Sequence, residues 1–413
     1  MRFSRCRVCL ASVACLVVAG TAATTGATGH ARAVSAAAGA PAGVVGNTPA
    51  GRSAQGSTAK AALRVRGSRL VNSRGQVVRL IGFNNSGAEY ACEEGWGIFD
   101  TPTTTVSLAM VRAMRTWTGA NAVRLPVNEQ CWLGLRGIPP AYAGVNYRRA
   151  IERYVSMLTA NGFAVILDLA GTAPGSEMSA NQEMMPDSHS VAFWRSAAAV
   201  FRGDSLVLFD LFNEPWPDND ADSPAAWACW RAGGCVQASQ NGPDQYTAVG
   251  MQQLVNVVRA AGARNVIIAE GIQYAETVDR WLSYRPHDPD GNLIASVHVY
   301  SFNQCSTLAC YNGSMKAVAG RVPLLIGEFG PNLTVPYTAA LDNECPVRDI
   351  GATGFDATLL RWALRNGVSW TAWSWNAWGD CWSLIRSFDG RPTSPYGLIV
   401  RSALRSERGS VRI

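Results

Sequence analysis

Short runs of apolar residues, each bounded by polar or turn-forming residues, recur along the chain from residue 78 onwards. Such runs are typical of β-strands that are buried on both faces, as in a parallel sheet. They fall at residues 78–83, 121–125, 164–169, 206–212, 265–269, 294–299, 322–327 and 369–374.

Between these runs the apolar residues recur at the period of an α-helix. In residues 147–160, for example, Ile151, Tyr154, Val155 and Leu158 share one helical face. The other clear helical stretches are residues 105–116, 189–201, 244–260 and 355–366.

Alternation of eight strands with helices predicts an α/β fold, a (β/α)₈ TIM barrel with long loops at its top. A doubly wound sheet is disfavoured, because no G-x-G-x-x-G follows the first strand. Before that strand, residues 69–71 and 77–81 flank a turn, which predicts an N-terminal β-hairpin that closes the bottom of the barrel.

The N-terminal region has a different composition. Three arginines in the first seven residues precede an apolar stretch, residues 8–20, that is too short to span a bilayer comfortably. Ala31-Arg32-Ala33 then resembles a cleavage site, so residues 1–33 are predicted to be a secretory signal peptide. A lipid anchor at Cys15 is the weaker alternative, because the residues before it form a poor lipobox. Residues 34–62 are rich in Ala, Gly, Ser and Thr and predict a flexible linker, which leaves 63–413 as the catalytic domain.

Charge gives no reason to propose nucleic acid as a partner. The net charge is +6, but the four arginines of residues 1–33 account for most of it and leave 32 basic against 30 acidic residues. No later segment is apolar enough for a membrane helix. We expect an extracellular monomer that does not contact a membrane after the signal is removed.

Eight of the eleven cysteines follow the predicted signal peptide. An even number in an oxidising compartment predicts disulfides and no free thiol. Zinc is disfavoured, because there is no C-x-x-C pair and the histidines are scattered. From proximity in sequence and in the top loops, the expected pairs are Cys92–Cys131, Cys229–Cys235, Cys305–Cys310 and Cys345–Cys381.

Two glutamates stand at the ends of apolar runs. Glu214 follows residues 207–212, and Glu328 follows residues 322–327. The carboxyl ends of barrel strands carry the active site, and strands four and seven lie roughly opposite each other. Two facing carboxylates are what glycoside hydrolysis requires, one as the proton donor and the other as the nucleophile or base. Simpler interpretations are a carboxylate at a helix start for Glu214 and an ion pair with Arg124 for Glu328. That ion pair is compatible with catalysis, since a cation keeps a nucleophilic carboxylate ionised.

Other polar side chains follow the same strands. His298 and Tyr300 share one face at the end of strand six, where they can orient and tune a carboxylate. Glu270 after strand five is interpreted as a structural ion-pair residue, and Asp168 and Asp210, inside strands, as members of a buried network. Most tryptophans pack in cores; the candidates for sugar subsites are Trp96, Trp132, Trp216 and Trp378.

Over residues 65–405 the sequence resembles glycoside hydrolase family 5, the cellulase-like retaining glycosidases, and is closest to secreted bacterial members. The motifs that carry this resemblance are Gly82-Phe83-Asn84 with Glu89-Tyr90, Val123-Arg124-Leu125-Pro126, Phe212-Asn213-Glu214-Pro215, His298-Val299-Tyr300, Ile326-Gly327-Glu328-Phe329-Gly330 and Trp373-Ser374-Trp375-Asn376.

The resemblance implies a role for each matching residue. Glu214 corresponds to the acid/base and Glu328 to the nucleophile. Asn213 would hold the sugar 2-hydroxyl, and Trp375 would form the platform beneath the reacting sugar. The remaining substrate-binding or shell residues implied are Arg124, His298, Tyr300 and Asn84.

One position departs from the family. Ala170 stands near the end of strand three, where members usually carry a histidine, so one sugar-contacting group is absent. We therefore expect a retaining hydrolase of a β-linked glucan, with a polysaccharide or oligosaccharide as substrate and no cofactor or metal. The alternatives are a β-mannanase, a β-glucosidase, a glycolipid glycosidase, or a carbohydrate-binding barrel without catalysis.

Overall fold

The computed structural model describes residues 62–135, 137–331, 354–407 and 413. The predicted signal peptide, almost all of the predicted linker, and Cys345 lie outside these residues. In chain order the strands of the described residues are β1 (Arg64–Arg66), β2 (Arg69–Val71), β3 (Val77–Val78), β4 (Ile81–Asn84), β5 (Ala122–Asn128), β6 (Ala164–Gly171), β7 (Val207–Asp210), β8 (Gly233–Ala238), β9 (Gln245–Val249), β10 (Ile267–Glu270), β11 (Leu293–Tyr300), β12 (Leu324–Gly330), β13 (Ser369–Ala372), β14 (Ile385–Ser387) and β15 (Arg391–Pro392).

Helices alternate with these strands. They are α1 (Leu108–Arg115), α2 (Glu129–Leu133), α3 (Val145–Ala160), α4 (Ser188–Phe201), α5 (Pro217–Asp220), α6 (Pro224–Ala232), α7 (Met251–Ala260), α8 (Trp281–Tyr284), α9 (Leu308–Cys310), α10 (Lys316–Ala319), α11 (Phe355–Asn366) and α12 (Tyr396–Ser406), with a 3₁₀ turn at Pro140–Tyr142 and a π-helical turn at Tyr311–Met315. None of the helices in the described part of the chain has the length and apolar character needed to span a bilayer.

Strands β4, β5, β6, β7, β10, β11, β12 and β13 form a closed parallel barrel in that order, and β13 pairs with β4 to close it. The predicted (β/α)₈ barrel is therefore confirmed. Nearly every residue of these strands is buried, because helices cover the outside and side chains fill the inside. This explains why the strands are uninterrupted apolar runs in the sequence.

The N-terminal hairpin covers the bottom of the barrel. Strands β2 and β3 pair antiparallel, as predicted, and β1 adds a third strand to this sheet. Leu70 and Val78 of the hairpin belong to an apolar cluster that also includes the interior residues Ala122, Ile166 and Leu208 near the start of barrel strands. The bottom is thereby sealed with apolar side chains, which leaves the carboxyl ends of the strands for polar chemistry.

One predicted helix is wrong in its first part. Residues 244–260 were expected to be helical throughout, but β9 occupies Gln245–Val249 and α7 begins at Met251. Strand β9 pairs antiparallel with β8, which the disulfide Cys229–Cys235 links to the end of α6. Tertiary pairing with a neighbouring hairpin arm thus overrides the apparent helical period.

Three disulfides among the described residues join cysteines that the sequence analysis pairs, namely Cys92–Cys131, Cys229–Cys235 and Cys305–Cys310. Cys92–Cys131 links the loop after β4 to helix α2 across 39 residues of chain, with 6.3 Å between the Cα atoms. Cys381 is also disulfide-bonded; Cys345, its predicted partner, lies outside the described residues.

Candidate active site

Glu214 and Glu328 both lie at the carboxyl end of the barrel. Glu328 is part of β12, and Glu214 follows the end of β7 by four residues. A carboxylate oxygen of Glu214, one of Glu328 and a ring nitrogen of His298 all lie within 4.8 Å of one another. The side chain of Glu214 is 12% exposed and that of Glu328 is 7% exposed, so both carboxyl groups are largely removed from water and border a cleft.

Two neighbours orient Glu328. Nη1 of Arg124 donates to its Oε1 over 2.7 Å, and the hydroxyl of Tyr300 donates to its Oε2 over 2.6 Å. Each carboxylate oxygen therefore has one strong donor, and a hydrogen bond to an ionised group is shorter and stronger than one between neutral groups. The two donors hold the plane of the Glu328 carboxylate fixed.

Arg124 lies at the centre of a buried charge network. Its guanidinium is completely buried and reaches six side chains from five strands or strand ends. Its partners are Asn84 (3.1 Å), Asp168 (3.0 Å), Asp210 (3.1 Å), Asn213 (2.9 Å), Glu270 (2.8 Å) and Glu328 (2.7 Å). Asp168 and Asp210 are thus members of a buried network, as the sequence analysis expects.

His298 bridges three carboxyl groups. Its Nδ1 lies 2.8 Å from Oε1 of Glu214 and 3.8 Å from Oε2 of Glu328, and its Nε2 lies 3.0 Å from Oε1 of Glu270. Burial lowers the pKa of His298, but the adjacent carboxylates Glu270 and Glu328 outweigh burial and raise the pKa well above its ordinary value. His298 is therefore a cationic imidazolium that donates to Glu214.

The two glutamates that contact His298 most closely, Glu214 and Glu270, differ in pKa. Burial raises the pKa of Glu214 to about 7, and the hydrogen bond and charge of His298 only partly oppose this rise. The neighbouring carboxylates Glu328 and Glu270 raise the pKa of Glu214 further, but desolvation is the largest cause. Burial also raises the pKa of Glu270, yet His298 and Arg124 lower it to about 2 overall. Glu270 is thus a permanent anion that accepts the backbone N–H of Glu214 over 2.6 Å, the structural role expected for it.

The backbone of Glu214 is in the left-handed region, with φ at 53°. This conformation costs a residue with a Cβ on the order of 1 kcal/mol, and such residues cluster at functional sites. The bond from its N–H to Glu270 stabilises the conformation and directs the side chain towards His298.

Asn84 is not positioned to bind substrate. Its side chain is completely buried, and its Nδ2 donates to the carbonyl of Gly327 over 3.0 Å. Its Oδ1 accepts from Arg124. Asn84 therefore positions the guanidinium beneath Glu328, which corrects the substrate-binding role implied by the resemblance.

Trp375 is likewise wrong as a platform for sugar. It is completely buried, its ring stacks on Phe83 with 4.4 Å between centroids, and it meets Trp117 edge-on at 4.8 Å. The chain leaves the barrel after β13, and the N–H of Trp375 donates to the carbonyl of Asn84. Trp373 is the partly exposed indole at this strand end, and its N–H donates to the carbonyl of Phe329, next to Glu328.

The other tryptophan candidates differ in exposure. Trp132 is completely buried and belongs to the core, so it cannot form a subsite. Trp96 is 46% exposed, Trp216 stacks on Tyr274 with 5.0 Å between centroids, and Trp378 donates from its indole to Asp100. These three remain accessible or partly accessible around the loops of the cleft face.

Asn213 is held from both sides. Its Oδ1 accepts from Arg124, and its Nδ2 donates to Oε1 of Gln182 over 3.3 Å, while Nε2 of Gln182 donates to the Asn213 carbonyl over 2.6 Å. Gln182 could not be predicted from the sequence, because it lies in an irregular loop with no period or motif. Ala170, 5% exposed, is two residues after Asp168 on β6 and so shares its inward-facing side.

Two groups at this site have side chains of the kind that bind metals. They are Glu214, His298 and Glu328, and Asp168, Asp210 and Glu270. The guanidinium of Arg124 already lies within 3.1 Å of four of these carboxylates. A metal ion among them would face that cation directly, whereas acid/base and nucleophilic chemistry at the two glutamates needs no metal.

Similar folds occur among solved glycosidases. A β-glucanase from Saccharophagus degradans is 16% identical, with a TM-score of 0.62 over 84% of this chain and 94% of that chain. A β-mannanase from Thermomonospora fusca is 18% identical, with a TM-score of 0.58 over 85% of this chain and 97% of that chain. A β-mannanase from Streptomyces thermolilacinus, solved with mannohexaose, is 20% identical, with a TM-score of 0.57 over 85% and 96%. At these identities the likeness shows the fold.

The sequence itself gives the closer assignment. The model of the family described as cellulase (glycosyl hydrolase family 5) matches residues 71–379, well over half of the chain and all eight barrel strands. The chain therefore belongs to glycosyl hydrolase family 5, the cellulase family, and is a glycoside hydrolase.

Proposed function

We propose that the protein is a retaining hydrolase of a β-linked glucan, with Glu328 as the nucleophile and Glu214 as the acid/base. The observation that carries the proposal is the separation of at most 4.8 Å between a carboxylate oxygen of Glu214 and one of Glu328. Retaining glycosidases place the two carboxyl groups about 5–5.5 Å apart, whereas inverting ones need roughly 6.5–9.5 Å to admit a water molecule. The short separation supports the retaining arrangement.

The first step forms a covalent glycosyl-enzyme. An oxygen of Glu328 bonds to the anomeric carbon as the glycosidic C–O bond breaks, and Glu214 gives its proton to the departing oxygen. The ion pair with Arg124 and the hydroxyl of Tyr300 hold the carboxylate of Glu328 aligned for attack. A pKa of about 7 leaves a large fraction of Glu214 protonated and able to donate.

The second step returns the enzyme to its starting state. Glu214, now a carboxylate, takes a proton from water, the water oxygen bonds to the anomeric carbon, and Glu328 leaves as a carboxylate. Two inversions give net retention. His298, as a cation hydrogen-bonded to Glu214, stabilises the carboxylate that exists between the two steps.

A glucan substrate is supported by the family and by one neighbour. The Saccharophagus degradans β-glucanase was solved with cellotetraose, a β-linked glucose oligomer. β-Mannanases have similar folds, and mannose differs from glucose in the orientation of the 2-hydroxyl. Asn213, whose amide is fixed by Arg124 and Gln182, is proposed to bind that hydroxyl, and Trp373 replaces Trp375 as the proposed platform.

Products from purified β-glucans and β-mannans test this proposal. We expect oligosaccharide release from a β-glucan, with the β anomer formed first in NMR spectra recorded during the reaction. Release of oligosaccharides from β-mannan alone would show that the substrate is a mannan and would not contradict the proposed mechanism. Initial formation of the α anomer would overturn the retaining mechanism, and binding without hydrolysis would indicate a carbohydrate-binding barrel.

The raised pKa of Glu214 predicts an alkaline limit to activity. Since the first step uses the protonated acid, kcat/KM on an unactivated cello-oligosaccharide should fall as the pH rises through about 7. An aryl β-cellobioside whose leaving group is a strongly acidic phenol needs no proton in this step. Its kcat/KM should therefore not fall as the pH rises through about 7. Rate profiles between pH 5 and 9 on the two substrates provide the measurement. A flat profile for the oligosaccharide across pH 7 would contradict the assignment of Glu214.

We also propose that the enzyme is secreted and that its signal peptide is cleaved after Ala33. Disulfides among the described residues support an oxidising compartment. Protein recovered from the culture medium should begin near Val34 when its N-terminus is sequenced. An N-terminal lipid-modified Cys15 would instead indicate a membrane anchor.

A further inference from the structure

A second group of side chains suited to binding a metal lies behind the loops of the cleft. Glu129 begins α2 directly after β5, and Asp187 and His189 lie at the start of α4, which follows β6. A carboxylate oxygen from each acid and a ring nitrogen of His189 lie within 4.8 Å of one another. We call these three residues the Glu129 cluster; none of them contacts the catalytic carboxylates in the described structure.

Each acid of the cluster has one oxygen bonded and one oxygen without a partner. Oε2 of Glu129 accepts from the hydroxyl of Ser190 over 2.8 Å, and Oδ1 of Asp187 caps α4 by accepting the N–H of His189 over 2.6 Å. Among the described residues, Oε1 of Glu129 and Oδ2 of Asp187 have no hydrogen-bond partner. Glu129 is 0% exposed and Asp187 is 4% exposed, so neither oxygen faces bulk solvent.

Two buried acids so close together require a positive partner or a shared proton. No arginine or lysine of the described residues forms a salt bridge with either acid. Nδ1 of His189 lies 3.9 Å from Oδ2 of Asp187 and 3.2 Å from the carbonyl oxygen of Ala173, and a metal ion would displace the latter contact. The cluster therefore pays an electrostatic penalty that a bound cation would remove.

The imidazole of His189 favours a transition-metal ion over Ca²⁺ or Mg²⁺. Ca²⁺ and Mg²⁺ prefer oxygen ligands throughout, whereas one imidazole nitrogen with carboxylate oxygens suits Zn²⁺ and related transition-metal ions. The side chain of His189 is 21% exposed, which provides a route from solvent to the buried oxygens. We propose that Glu129, Asp187 and His189 bind a divalent transition-metal ion of the Zn²⁺ class.

Such an ion would have a structural effect. It would connect the end of β5 to the start of α4, and thereby fix the long loop between β6 and α4. Asn128, the neighbour of Glu129, already donates to Ser179 in that loop over 2.9 Å and to the carbonyl of Glu89 over 2.8 Å. Ligand binding to the folded state alone raises its stability in proportion to the logarithm of ligand concentration. We therefore expect thermal stabilisation, with no role for the ion in bond cleavage.

Untagged, chelator-dialysed protein tests the proposal by thermal unfolding and by metal analysis after equilibrium dialysis. Zn²⁺ should raise Tm progressively with concentration, and Ca²⁺ at the same concentrations should not. His189→Ala and Glu129→Gln should remove this rise and lower the bound Zn²⁺ by one equivalent. His287→Ala, at an exposed histidine elsewhere on the surface, is the matched control and should behave as wild type.

The comparison between variants also distinguishes Zn²⁺ bound at the Glu129 cluster from Zn²⁺ bound at the catalytic acids. Zn²⁺ held by Glu214, His298 and Glu328 would persist in His189→Ala, and an unchanged stoichiometry or Tm response in that variant would overturn the proposal. Absence of any Zn²⁺ response in wild type would overturn it as well, and would indicate a proton shared between Glu129 and Asp187. Near-ultraviolet circular dichroism shows whether each variant is folded, and either variant alone suffices for the comparison.

Discussion

Glu328→Gln is expected to abolish turnover on every substrate, with a loss on the order of 10⁴-fold or more in kcat, as for other nucleophile replacements. The amide is isosteric with the carboxylate, but its nitrogen would face the guanidinium of Arg124, 2.7 Å from the present oxygen, and a neutral amide cannot form the glycosyl-enzyme. Initial rates on a β-glucan and on an aryl β-cellobioside measure the effect. Glu152→Gln, on the outer helix α3, is the matched control and should keep full activity.

Glu214→Ala distinguishes the two carboxylates. Loss of the proton donor should cost about 10²–10⁴-fold on an unactivated oligosaccharide and much less in the first step with a strongly acidic phenol as leaving group. Azide needs no general base to attack the intermediate, so it should accelerate turnover of the aryl substrate by this variant and give a β-glycosyl azide. Full activity of Glu328→Gln, or an α-glycosyl azide from Glu214→Ala, would contradict the assigned roles.

Arg124→Met should produce the second largest effect, because it removes both activity and stability. The guanidinium is completely buried and forms salt bridges with Asp168, Asp210, Glu270 and Glu328. Removing one partner of a buried ion pair leaves uncompensated charge and costs roughly 3–5 kcal/mol of unfolding free energy. Urea unfolding followed by fluorescence measures the loss. Arg391→Met, whose side chain is 72% exposed, should change the unfolding free energy by no more than about 0.5 kcal/mol.

The stability defect of Arg124→Met should depend on pH in a defined direction. Burial already raises the pKa of Asp168 and of Asp210 well above their ordinary values, and loss of Arg124 raises both further. An acid with a raised pKa in the folded state disfavours folding as the pH rises above its pKa in the unfolded chain, since only the unfolded chain then releases its proton. The defect should therefore be smaller at pH 5 than at pH 8. An equal defect at both pH values would show that packing, and not charge, explains it.

The barrel could be predicted from the sequence because burial of a parallel strand on both faces gives a recognisable sequence pattern. Each barrel strand is covered on both faces and is therefore an apolar run, and Glu214 and Glu328 interrupt the pattern only where the strands reach the cleft. The ion pair between Arg124 and Glu328 could also be anticipated, since the carboxyl ends of all eight strands meet at one end of the barrel. Periodicity and turn residues were sufficient for these features.

The features that were missed depend on contacts between distant segments. Trp373 and Trp375 both follow the end of β13, and only packing against Phe83 shows which indole is buried. Gln182 fixes Asn213 from an irregular loop, where no local pattern specifies its position. Residues 245–249 form a strand because β8 lies beside them, although their sequence also fits the start of α7.

The bonding of Arg124 also has a consequence for folding. Its hydrogen bonds reach residues that are 40, 86, 89, 146 and 204 positions away along the chain. Contacts of such long range form only after the entropy of closing large loops has been overcome, so they come late in folding. Glu328 on β12 acquires its guanidinium partner only when this late strand and the early strand β5 have joined the same barrel. We therefore expect catalytic competence to arise only with closure of the barrel, and partly folded chains to be inert towards glycans.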